Sequence, residues 1–181
     1  MEEAPDIING ETCPICHQNT LILTESERDI PFFGVVYLFS MNCTNDECKY
    51  SMSDVETVES HEPTKYSLEV KTIEDLNARV VKSSEATVKI GSIASIEPGS
   101  ASQGFISNVE GVLKRMLRQM ESFYESEDDT AIKNKLKNKI KKLKRVMTGF
   151  DPITITVSDP SGNSAIIHDN AVITPLKKGK K

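Results

Sequence analysis

The chain has 181 residues, 38% of them hydrophobic and 27% charged, with a formal net charge of −5. That is the balance of an ordinary soluble globular protein of one or two domains, and no apolar run approaches the roughly 20 residues that cross a bilayer, so a membrane protein with spanning helices is excluded. The start, Met1-Glu2-Glu3-Ala4-Pro5-Asp6, is acidic where a secretory signal has a basic start and an apolar stretch, which points to a cytoplasmic protein with reduced thiols.

Residues 1–10 read as an N-terminal tail. Behind them lie the only four cysteines, in two close pairs: Cys13-Pro14-Ile15-Cys16 and Cys43-Thr44-Asn45-Asp46-Glu47-Cys48, with 26 residues between the pairs. Zinc takes four soft ligands at tetrahedral corners, and a tight turn within each pair presents two sulfurs to one ion. With every corner filled by Cys13, Cys16, Cys43 and Cys48, no position is left for water or substrate, so one structural zinc is expected. Two rival readings share the first pair. Cys13-Pro14-Ile15-Cys16-His17 satisfies the haem-attachment pattern, but that chemistry requires export. A redox Cys-x-x-Cys lies between a strand and a helix, whereas here a strand follows. His17 could replace a cysteine as ligand; a solvent-facing histidine is the simpler account.

Between and after the pairs, Leu21-Ile22-Leu23-Thr24, Val35-Val36-Tyr37-Leu38-Phe39-Ser40-Met41 and residues 50–55 read as three strands. Strands with a metal knuckle at two turns make a zinc ribbon over residues 11–55, a unit too small to fold by burial alone. Ahead of its second strand, Pro31, Phe32, Phe33 and Gly34 set two aromatics side by side. Alternation sends one inwards, and the other is a candidate anchor for a partner, since aromatics dominate interface hot spots.

From residue 56 to 174 a second unit is expected. Tyr66-Ser67-Leu68-Glu69-Val70-Lys71 alternates, Val80-Val81 and Thr87-Val88-Lys89-Ile90 suggest further strands, and Glu97-Pro98-Gly99-Ser100 is a turn. The period then changes. Val109, Val112, Leu113, Met116, Leu117, Met120, Phe123 and Tyr124 step by three and four along one helix. An acidic break at 125–130 supplies N-cap candidates. A second helix carries Ile132, Leu136, Ile140, Leu143 and Met147 on one side and stops near Gly149. The two form an antiparallel helical hairpin at about 105–148. β-Structure returns at Ile153-Thr154-Ile155-Thr156-Val157, Ala165-Ile166-Ile167 and Ala171-Val172-Ile173, so the hairpin is inserted into a β-domain and the fold class is α+β. Residues 175–181, with four lysines, read as a disordered basic tail.

Charge is distributed unevenly. Residues 1–75 carry a net −12 and residues 76–181 a net +7. The second helix holds Lys133, Lys135, Lys137, Lys139, Lys141, Lys142, Lys144 and Arg145; a solvated face is the default, and nucleic-acid binding is the functional alternative. No aromatic residue interleaves with these cations, which counts against a single-strand stacking platform. Asp159, Gly162, Asn163 and Ser164 belong to a turn, Asp159-Pro160-Ser161-Gly162-Asn163-Ser164, that could cradle a partner's loop. For catalysis there is little: His17, His61 and His168 form no local set with a nucleophile, and no phosphate loop appears. Neither an enzyme nor a small-molecule substrate is expected.

Several blocks in order carry a family resemblance: Cys-Pro-x-Cys at 13–16, Ile30-Pro31-Phe32-Phe33-Gly34, Arg79-Val80-Val81-Lys82-Ser83, Ile96-Glu97-Pro98-Gly99, Asn108-Val109-Glu110-Gly111-Val112-Leu113 and the turn at 159–164. Over about residues 11–174 the chain resembles the ZPR-one zinc finger proteins, in the single-unit form of the archaeal branch; eukaryotic members carry the unit twice. The resemblance implies a four-cysteine ribbon, a helical hairpin and a β-domain like a double-stranded β-helix. It also implies a zinc-dependent chaperone or adaptor that binds translation elongation factor one-alpha, a GTPase. The alternative from another class is a nucleic-acid- or ribosome-associated zinc-ribbon factor that uses the lysine-rich helix. The spacing Cys43-x4-Cys48 departs from the family's usual gap of two.

Overall fold

Ten-residue strands β2 (Leu21–Ile30) and β3 (Gly34–Cys43) pair along their whole length, from Leu21 opposite Cys43 to Ile30 opposite Gly34. The computed structural model that shows this describes residues 4–31, 33–58, 61–99 and 102–176. The connecting turn relies on Gly34 at φ +99°, a conformation open to glycine at little cost. Strand β4 (Ser51–Thr57) joins the other edge of β3, and β1 (Asp6–Glu11) joins the outer edge of β2. Two of these features exceed the sequence expectation. The segment read as a tail contains β1, whose side chains are all exposed and so leave no burial pattern to recognise. Strand β2 also runs on through Glu25, Glu27 and Asp29, because these acids point to water while the residues between them face inwards, ending at buried Ile30.

Among the described residues, the remaining eight strands form two further antiparallel sheets. One has the order β12-β5-β10-β7-β8, from β5 (Thr64–Val70), β7 (Thr87–Ile90), β8 (Ala94–Ile96), β10 (Ile153–Asp159) and β12 (Val172–Pro175). The other has the order β11-β6-β9, from β6 (Arg79–Lys82), β9 (Phe105–Asn108) and β11 (Ala165–Ile167). Eight strands in two facing sheets are the jelly-roll arrangement. Strands β8 and β9, three and four residues long, went unread in the sequence because such lengths hold too few alternations.

The three-stranded sheet is buried on both faces, and alternation explains how. Val80 and Ile166 face the main core with Phe105 against it, alongside Leu68, Val88, Ile155 and Leu113. Their neighbours Val81, Ile106 and Ile167 face the other way, onto Ile30, Val36 and Val55 of the ribbon. The ribbon therefore rests on the outer face of the jelly roll's smaller sheet, and Val80 and Val81 are both fully buried.

Between β9 and β10 the chain makes helices α1 (Val109–Ser126) and α2 (Thr130–Met147), which pack together. Asn108 caps α1 by accepting a hydrogen bond from the Gly111 amide at 2.8 Å. Asp129 caps α2 by accepting from the amides of Ala131 and Ile132. The stripe on α1 is buried from Val109 to Met120, then emerges, leaving Phe123 52% exposed; on α2, Leu143 and Val146 are buried and Ile132 lies 42% exposed. At the far end of the chain, Pro175 pairs with Thr64 and the Leu176 amide donates to the Pro63 carbonyl at 2.9 Å, so these two residues are ordered rather than tail; residues 177–181 lie outside those described.

Candidate metal centre and the seam behind it

Two chain reversals of matching form bring the cysteines together. At the first, the Cys13 amide donates to the Gln18 carbonyl and the His17 amide to the Cys13 carbonyl, each at 2.9 Å. At the second, the Cys43 amide donates to the Tyr50 carbonyl, and the amides of Cys48 and Lys49 both donate to the Asn45 carbonyl. The residue after the last cysteine of each pair, His17 or Lys49, takes a left-handed conformation, with φ of 58° and 50°. The wider second gap is absorbed by Asn45, whose side chain accepts from the Glu47 amide and reaches across to Gln18 at 3.1 Å. The extra residues are folded into the turn and the sulfurs keep their place.

The four sulfurs lie within 4.8 Å of one another. Cys13 Sγ is 3.8 Å from Cys48 Sγ, and Cys16 Sγ is 3.7 Å from Cys43 Sγ. A tetrahedron with zinc–sulfur bonds of about 2.3 Å has edges of about 3.8 Å, whereas a disulfide would need about 2.05 Å. The donor set therefore fits a zinc ion. Thr20 adds a hydroxyl 3.2 Å from Cys43 Sγ and 3.7 Å from Cys16 Sγ, placed to steady negative sulfur. This contribution was invisible in the sequence, where Thr20 is only a residue before a strand. Hydrogen bonding from the Gln18 amide brings the Cys16 thiol down to about 6. The Tyr50 amide favours the Cys48 thiolate, yet desolvation and the neighbouring sulfurs push that thiol up to about 12. His17 is exposed, and among the described residues the cluster holds no histidine. The first pair opens between strands β1 and β2, without the helix a redox pair would use.

Of the residues read as a partner surface, Pro31 and Gly34 are exposed, and Phe32 lies outside the described residues. Phe33 is half-buried, stacked on His61 with ring centroids 5.5 Å apart and packed against the ribbon core. The turn at 159–164 faces largely inwards. Asp159, Gly162 and Ser164 are buried and Asn163 is partly buried. Asp159 Oδ1 accepts from the Ser161 amide and hydroxyl, and its Oδ2 accepts from the hydroxyls of Ser83 and Ser164. Ser164 in turn accepts from the Ser83 amide, and Asn163 accepts from Thr57 of β4. At Gly162, with φ +80°, a Cβ would sit 2.6 Å from the His61 carbonyl oxygen. These groups are satisfied inside the chain, which makes the turn part of the seam between ribbon and jelly roll.

Neighbouring groups complete that seam. Asp54 of β4 accepts from the amide and hydroxyl of Ser84, and the Gly104 amide donates to the Ser53 carbonyl at 2.8 Å. Lys82, 1% exposed, directs its ammonium to the carbonyls of Ser83 and Gln103 and the hydroxyl of Ser102. Burial pulls its pKa down, while the charges of Asp54 and Asp159 draw it back up.

A four-sulfur cluster on a ribbon, seated on an eight-stranded jelly roll with a helical insertion, defines a zinc-binding protein with a β-domain. The ZPR1 jelly-roll domain matches residues 74–176. A ZPR1-like protein of Methanocaldococcus jannaschii is 40% identical over 160 residues, covering 86% of this chain and 78% of the relative. A ZPR1-like protein of Pyrococcus horikoshii is 36% identical over 182 residues, covering 98% and 80%. The zinc finger chaperone zpr1 of Schizosaccharomyces pombe is 34% identical over 161 residues, which are 85% of this chain and 33% of that protein. The chain belongs to the ZPR1 family and is of the archaeal type. No helix among the described residues is long and apolar enough to cross a membrane.

Proposed function

We propose that the protein is a cytoplasmic chaperone or adaptor for translation elongation factor one-alpha, stabilised by one zinc ion on Cys13, Cys16, Cys43 and Cys48. The observation that supports it most is the closed sulfur cluster in a family whose fission-yeast member is named a zinc finger chaperone. Four protein ligands leave the metal no open position, so its work is to hold the ribbon, and the protein acts by contact rather than by catalysis. The exposed part of the ribbon turn, Pro31 and Gly34, is the proposed edge of the partner surface. Zinc-loaded protein mixed with purified elongation factor one-alpha is expected to form a complex that titration calorimetry detects; no heat and no co-migration at micromolar concentrations would overturn the reading.

The lysine-rich α2 supports a second reading, a nucleic-acid- or ribosome-associated factor. Eight cations and no acidic residue lie between Thr130 and Met147. Affinity for RNA falling linearly with the logarithm of salt concentration is its signature.

A further inference from the structure

The helix α2 is cationic all along, but one flank of it differs from the rest. There Lys137, Ile140, Lys141, Lys144, Arg145 and Phe150 line a groove of about 550 Å³. Ile140 and the aliphatic stems of the lysines form its floor, and the ammonium groups form its rim. Phe150 is 74% exposed, the most exposed large apolar residue among those described. It is also firmly placed. Gly149 closes the helix at φ +75° with its amide on the Val146 carbonyl, and the Phe150 amide donates to the Arg145 carbonyl, both at 3.0 Å. Arg145 grips Asp151 through two hydrogen bonds of 2.7 Å and lies 5.8 Å from the centre of the Phe150 ring. Exposing a rigidly held aromatic beside a lysine row costs solubility and adds nothing to the core.

We propose that this groove docks an acidic amphipathic segment of a partner protein, its apolar side chains against Phe150 and Ile140 and its carboxylates against Lys137 and Lys141. Charge complementarity selects the partner's sign. Lys144 already meets Glu121 at 2.6 Å and Arg145 meets Asp151, which leaves Lys137 and Lys141 as groove cations with no ion pair among the described residues. The apolar floor selects its amphipathic character. A nucleic acid would use the lysines, but single strands bind on successive aromatic rings, and here one ring sits beside an aliphatic floor. The flank is also distinct from the lysines round the helix, Lys135 and Lys142, which do not line this groove. This assignment is independent of the elongation-factor reading, because it names a different surface.

The test uses the full zinc-loaded chain at physiological salt and three fluorescein-labelled probes: an acidic helical peptide with a Leu/Phe stripe, polyglutamate of equal charge, and poly(U). The peptide is expected to bind at least tenfold more tightly than either control. Phe150→Ala should weaken it by about tenfold to thirtyfold, the loss of a hot-spot anchor. Lys137→Gln with Lys141→Gln should also weaken it, and Lys135→Gln with Lys142→Gln should change it less than twofold. All these positions are exposed, so the variants fold. The proposal is overturned if the peptide fails to bind, if polyglutamate or poly(U) binds as well, if both lysine pairs act alike, or if Phe150→Ala is silent. Concentration-dependent self-association that Phe150→Ala abolishes would also overturn it, by showing that a second copy fills the groove.

Discussion

Asp159 is buried and accepts four hydrogen bonds, from Ser161 twice and from Ser83 and Ser164. Replacing it with asparagine exchanges one acceptor oxygen for a donor and leaves serine hydroxyls facing it unpaired. Each orphaned buried group costs about 1–3 kcal/mol, so Asp159→Asn should lower stability by about 2–4 kcal/mol in urea unfolding, with the sulfur cluster intact. Asp75 makes a pH prediction. The amides of Lys71 and Thr72 donate to its Oδ2 at 2.7 and 2.9 Å, and they hold its carboxyl below the usual range, with help from His168 at 3.4 Å. A carboxylate whose folded pKa is depressed stabilises the fold above its unfolded value, near 4, and that stability is lost as pH falls through the folded pKa. Asp75→Asn should therefore flatten the acid limb of the stability curve below about pH 4, as urea unfolding across that range would read. At this scale the sequence was half legible. Cysteine spacing gave the cluster because zinc geometry is local. The burial of Asp159 and Ser164 was not readable, since Ser83, the one group that bonds to both, lies 76 and 81 positions upstream of them.

Elements whose signals repeat over several turns were easy to read, and short ones were hidden. Both helices announced themselves through periodic apolar residues and an acidic break, and Asp129 occupies the cap that the break suggested. Strand β1 was missed because an exposed edge strand has no buried face, and β2 was cut short because its charged half has low strand propensity that pairing overrides. The Lys-rich α2 depends strongly on its ends: it has no acidic residue to relieve eight like charges. Asp129→Ala removes two capping bonds and the negative charge at the N-cap itself, and should cost about 1 kcal/mol. Hydrogen exchange is expected to show the first turns of α2 opening, with α1 unaffected. Uniform protection across both helices would mean that packing on α1, rather than the cap, sets the start of α2.

At the scale of the whole molecule, the question is how far the ribbon depends on its metal and how far on its seat. The seat is substantial: Ile30, Val36 and Val55 pack on Val81, Gly104 hydrogen-bonds to Ser53, and Asp54 holds Ser84. It lies along the inner face of β3 and β4, away from the cysteine turns at 13–16 and 43–48, where Cys13 is the sole buried cysteine. In small zinc peptides the metal contributes apparent binding energies of roughly 10–16 kcal/mol, most of the folding free energy. Chelation, or Cys13→Ser, should therefore strip amide protection from β1, β2 and the cysteine turns first. The main core, from Leu68 to Ile155, has no group in common with the sulfur cluster and should keep its protection. Strands β6, β9 and β11 fall between these limits. Once the ribbon frays, Val81, Ile106 and Ile167 lose their cover, and exchange there should rise without reaching that of the ribbon. Unchanged protection of the ribbon in metal-free protein would show that the seat alone holds it. Loss of protection in β5 and β10 as well would show instead that ribbon and jelly roll fold as one unit, with the seam of Asp54, Lys82 and Asp159 carrying the coupling.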